Sequence, residues 1–163
     1  MEDGLLACYI YQRFMKHCGK AEFALFESWI DNYVSNWAHC DSIAPTLLAA
    51  CIANEPALMR QLTKWTKSSN RWKRRAAAVA LLREGKAGRN TEFLFAIADQ
   101  LIDDSDEMVQ KGVGWLLKET YPKQPRLCME FIIPRLDRMP RLMVRYAAEK
   151  MSAADQATVM KRD

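Results

Sequence analysis

Apolar residues recur three and four positions apart along almost the whole chain, in the segments 23–34 (FALFESWIDNYV), 44–52, 57–65, 71–82 (RWKRRAAAVALL), 91–102, 107–119, 127–136 and 141–151. That period marks helices with one buried face, and no stretch alternates as a half-buried strand would. Short breaks separate the segments, KHCGK, NEP, KSSN, GKAGRN, DDSD, YPKQP and RMP, and they carry the Gly, Pro, Ser, Asn and Asp that cap and turn helices. The pattern predicts an all-α fold of nine or ten short helices forming one domain over residues 1–163.

Three of these helices overlay as a repeat. Aligning 70–82, 106–118 and 140–151 brings Arg75, Lys111 and Arg145 into register, 36 and 34 residues apart. A period of that length with two helices per unit predicts an α-solenoid, curved, whose concave face carries the three cations side by side.

Helical geometry then assigns faces. Val109, Val113, Leu116 and Leu117 form one apolar stripe, which leaves Trp115 on the other side among Lys111, Gly112 and Lys118, exposed or half-exposed. Gly112 and Gly114 each cost a helix interior roughly 0.5–1 kcal/mol relative to alanine, so a neighbouring helix or a ligand is expected to approach the backbone there. In 70–83, Trp72, Ala76, Val79 and Ala80 can pack inward, while Arg71 and Arg75 share another stripe and can reach phosphate oxygens bidentately.

Composition narrows the chemistry. The chain is 50% hydrophobic, and no apolar run approaches the ~20 residues of a membrane span. The N-terminus carries acids where a signal peptide carries base, so a cytoplasmic location is expected. Five scattered cysteines, without a CxxC, read as reduced core thiols, and two histidines without a second ligand pair give no metal site. Net charge is only +4, yet residues 56–83 hold eight cations, Arg71, Arg74 and Arg75 among them, and no acid. A one-sign block of this kind favours an anionic partner such as nucleic acid.

The stretch SNWAHCDSIAP (35–45) is ambiguous. Phe26, Ile30, Tyr33, Val34 and Trp37 make a continuous stripe that would bury Trp37. Asp41 can be a helix N-cap, but Ser42 competes for that position and would place Pro45 in the first turn. With Ser42 as the cap, Asp41 is available to face a cation.

The ordered set NWAHCD, WTKSSNRWKRRAAAVALL, VQKGVGWLLKE and MPRLMVRYAAEKM, from about residue 21 to the C-terminus, resembles the AlkD-like DNA alkylation repair family of HEAT-like helical repeats. The resemblance implies a monomeric, cofactor-free DNA glycosylase that releases cationic N-alkylated purines, such as 7-methylguanine and 3-methyladenine, from double-stranded DNA. It places the catalytic aspartate at Asp41, aromatic partners at Trp37 and Trp115, and the site arginine at Arg75. Arg71, Arg74, Arg75, Lys111 and Arg145 are the expected DNA contacts, and no lysine is placed by these motifs as an amine nucleophile. Where some members carry a further basic residue this chain has Val79. Members usually carry additional N-terminal helices, so a shortened variant is expected. The competing readings are a non-catalytic helical module for DNA or protein and a structural RNA binder.

Overall fold

A computed structural model of the protein describes Cys8, Tyr11, Arg13 and residues 15–161. Among these, regular structure is helical throughout, without a strand. In chain order the helices are α1 (Lys20–Asn32), α2 (Trp37–Ile43), α3 (Ala49–Asn54), α4 (Met59–Trp65), α5 (Arg71–Val79), α6 (Leu82–Ala87), α7 (Thr91–Gln100), α8 (Glu107–Thr120), α9 (Pro125–Ile132), α10 (Arg141–Ala148) and α11 (Ala153–Met160).

Polar caps start the helices that matter most. The side chains of Asn36, Asn70 and Asp106 accept from the backbone N–H groups of His39, Trp72 and Met108 respectively. Each satisfies a donor that the first turn leaves without a helical partner, a contribution of ~1 kcal/mol.

The repeat helices α5, α8 and α10 pack side by side, and the two glycines of α8 explain how. A Cβ at Gly112 would lie 3.2 Å from Arg75 Cγ and 3.4 Å from Val79 Cγ1, both on α5. At Gly114 it would lie 2.5 Å from Tyr146 Cβ and 2.7 Å from the Met143 carbonyl oxygen, both on α10. The backbone approach expected from sequence is therefore made by neighbouring helices, one on each side. The stripe Val109, Val113, Leu116 and Leu117 is buried in a continuous core that runs from Cys8 to Val159, as an α-solenoid requires.

Several boundaries differ from those the sequence predicts. Asn36, not Ser42, caps α2, and the Ser42 hydroxyl instead donates to the Ala38 carbonyl. Pro45 sits in a widened π-turn over Ala44–Leu48 that carries the chain from α2 into α3. The stripe ending at Trp37 is interrupted, because α1 stops at Asn32 and Tyr33 is left 74% exposed. The break expected at GKAGRN begins earlier, at Ala80 and Leu81, and α6 runs through Gly85 to Ala87. Helix α11 has no counterpart among the predicted segments.

All five cysteines are buried, and burial pushes the thiols of Cys40, Cys51 and Cys128 up to about 12. Among the described residues no group of three or more His, Cys, Asp or Glu side chains is placed to hold a metal, and no helix is long and apolar enough to cross a membrane.

Candidate functional site

Asp41 lies in the last turn of α2, on the side facing α5. Arg75 Nε and Nη2 donate to its two carboxylate oxygens at 2.9 and 2.7 Å, the bidentate fork that guanidinium and carboxylate geometry favour. The third nitrogen of the guanidinium, Nη1, donates to the Met108 carbonyl at the start of α8. One buried arginine thereby ties three helices together. Burial alone would lower the Arg75 pKa, but the hydrogen bonds and charge of Asp41 outweigh it and hold the guanidinium above its ordinary value. Asp41 is less enclosed, its side chain 16% exposed against 6% for Arg75. Each carboxylate oxygen keeps a lone pair beyond those Arg75 occupies.

One turn before Asp41, at the first position of α2, Trp37 is 59% exposed. Its placement resolves the ambiguity of the SNWAHCDSIAP stretch: with Asn36 as the cap, the indole projects into solvent and Asp41 is released from capping.

Three clefts follow one another past these residues. The first, about 400 Å³, includes Trp37, Arg71, Asp106 and Met108 in its walls. A middle compartment of about 240 Å³ is formed by Trp37, Arg75, Met108, Lys111 and Tyr146. The third, about 250 Å³, has Tyr146 and Arg145 in its walls. Trp37 and Met108 are shared by the first two and Tyr146 by the last two, so the three clefts are contiguous through these side chains. Each compartment also holds one cation near its surface. Arg71 stacks over Trp72 at 4.5 Å and pairs with Asp106 at 3.2 Å, Lys111 lies 3.9 Å from Glu107, and Arg145 is exposed.

The residues expected from sequence therefore separate into two groups. Trp37, Asp41 and Arg75 come together, and Arg71, Lys111 and Arg145 line successive clefts. Two arginines are engaged within the protein. Arg75, at 5% exposure, donates to Asp41 and Met108. Arg74 holds Asp104 through two nitrogens at 2.7 and 3.3 Å and donates to the carbonyls of Ser68 and Ser69, which fastens the loop before α5 to the segment that leads into α8. The register position of the cationic ladder on α5 thus passes from Arg75 to Arg71, one turn earlier.

Trp115 is half-buried against the core, and the middle compartment is lined by other residues. Tyr146 is the aromatic residue that lines it together with Trp37. Sequence reasoning missed Tyr146 and Met108, and the signal that points to Tyr146 was adjacent: it follows Arg145, the last residue in the repeat register.

The sequence matches the family model described as DNA alkylation repair enzyme over residues 1–151. Among solved structures, the fold is similar to the "Predicted DNA alkylation repair enzyme from Enterococcus faecalis", with a TM-score of 0.78 and 17% sequence identity, covering 90% of this chain and 67% of that one. At that identity the likeness speaks for the fold. Comparison with curated proteins finds no match.

Proposed function

From the premise that the chain belongs to the DNA alkylation repair enzyme family, we propose that it is a monofunctional DNA glycosylase acting on cationic alkylated purines, 7-methylguanine and 3-methyladenine, in double-stranded DNA. The observation that carries this reading is the asymmetry of the Asp41–Arg75 pair: a buried arginine fixes a carboxylate that retains open surface one turn from an exposed indole.

An N-alkylated purine already bears positive charge, so it leaves without a general acid. The barrier lies in the positive charge that develops on the deoxyribose as the N-glycosidic bond breaks. Asp41, oriented by Arg75, stabilises that charge and directs a water to the anomeric carbon. The bonding electrons go to the base, which departs neutral; the water's oxygen bonds to the sugar and its proton passes to Asp41 and then to solvent. The face of Trp37 adds cation–π stabilisation. Arg71, Lys111 and Arg145 hold backbone phosphates. Lys111 serves as a point charge rather than an amine nucleophile, so borohydride reduction during turnover is expected to trap no covalent adduct.

A second reading draws on the same ion pair. Both Asp41 oxygens engage Arg75, as they would in a helical module that binds DNA without chemistry. Single-turnover base release from methylated duplex separates the two. Asp41→Asn is expected to remain folded by circular dichroism, to bind duplex with unchanged affinity, and to lose at least about a hundredfold in rate. A wild-type protein that binds the duplex and frees no base establishes the scaffold instead.

A further inference from the structure

We propose that Tyr146 is the second aromatic wall of the site, its ring facing Trp37 across the middle compartment and stabilising the cationic deoxyribose of the lesion nucleotide. This rests on the glycosylase reading of Asp41 and adds to it a substrate-contacting residue from a different repeat.

Position carries the first part of the argument. The middle compartment is the one that includes Arg75, and through it Asp41, and it has two aromatic walls, Trp37 on α2 and Tyr146 on α10. Both rings also bound the neighbouring cleft on their outer side. A nucleotide sugar seated in this compartment, beside the Arg75 that holds Asp41, would have an aromatic residue on each of two helices to attract its developing positive charge.

The second part concerns how the ring gets there. Its Cβ would meet a Cβ on Gly114 at 2.5 Å, so α10 can seat Tyr146 this close to α8 only because Gly114 has no side chain. Gly112 does the same for the stem of Arg75 on the opposite side. The Gly-Val-Gly of α8 thereby admits one site residue from each flanking repeat helix, Arg75 from α5 and Tyr146 from α10.

The test varies the electronics of the ring at constant shape. In the full-length protein, Tyr146→Phe and a series of increasingly fluorinated phenylalanines at the same position keep the packing against Gly114 while draining the π-face. Single-turnover release of 7-methylguanine is expected to stay within about threefold of wild type for Phe and to fall stepwise to about tenfold slower for pentafluorophenylalanine. Melting temperature and affinity for unmodified duplex are expected not to change across the series. A flat series overturns the proposal, as does a Phe variant already as slow as the pentafluoro one. An active wild type with a flat series removes only the role of Tyr146, whereas a wild type that frees no base removes the glycosylase reading beneath it.

Discussion

At the scale of single residues, the site is held by what two glycines lack. Gly112→Ala would put a methyl 3.2 Å from Arg75 Cγ, the stem of a flexible side chain that can give by a few tenths of an ångström. The helix gains roughly 0.5–1 kcal/mol from replacing glycine, so thermal stability is expected to stay within about 1 kcal/mol of wild type. The displaced guanidinium carries Asp41 with it, however, and base release is expected to drop severalfold. Gly114→Ala meets the Tyr146 Cβ at 2.5 Å and a backbone oxygen at 2.7 Å, neither able to yield. It is expected to destabilise by about 1–3 kcal/mol, lowering the melting temperature by several degrees. Calorimetry of the two variants checks the contrast, and a Gly114→Ala protein as stable as wild type would refute the packing. Arg74 and Arg75 show why residue type alone misleads. Both stand in the same basic run, yet one closes a loop on Asp104 and the other orients Asp41, because adjacent helical positions point about 100° apart.

At the scale of elements, the helices that carry the site were legible because their apolar periods are strong, and their ends were not because caps compete. By sequence Asp41 and Ser42 compete as the cap, whereas Asn36 caps the helix, which begins at Trp37 and exposes its ring. The π-turn after Asp41 follows from Pro45, which has no N–H to give the Asp41 carbonyl, a local rule that periodicity averages away. Between α6 and α7 the chain turns through two left-handed residues, Gly88 (φ 67°) and Asn90 (φ 51°). Glu84 fastens that corner by accepting from Arg89 Nη2 at 2.7 Å and Asn90 Nδ2 at 2.8 Å. The Arg89 hydrogen bonds pull the Glu84 pKa below the usual carboxylate range against the opposing effect of burial. A depressed folded-state pKa stabilises fully above the unfolded value of about 4.3 and fades as pH falls through the folded one. Glu84→Gln is therefore expected to melt a few degrees below wild type at pH 7, with the gap closing below about pH 4. An equal gap at pH 7 and pH 3 would disprove the ionic fastening.

At the scale of the whole molecule, the repeat turns a one-dimensional charge pattern into a row of cations, the proposed phosphate contacts. The register of Arg75, Lys111 and Arg145 was readable from the sequence, but which cation of α5 reaches solvent was not. Arg75 is drawn inward by Asp41, and the outer position falls to Arg71, half-exposed in the first cleft. Arg71, Lys111 and Arg145 then occupy three successive compartments, the arrangement expected for following one strand of a duplex. Counterion release gives this a measurable form, since each phosphate neutralised contributes about 0.9 to the slope of log affinity against log salt. Lys111→Ala and Arg145→Ala are each expected to reduce the slope by about 0.9, and the double variant by about twice that, with equal effects on alkylated and unmodified duplex. Arg74→Ala, although it removes a charge from the same basic run, is expected to leave the slope unchanged and to lower the melting temperature instead, because its guanidinium is committed to Asp104 and two backbone carbonyls. Binding titrations between 50 and 200 mM salt, a range over which such slopes are resolved, decide the matter: a slope that responds to Arg74 and not to Lys111 would place the DNA on a different face.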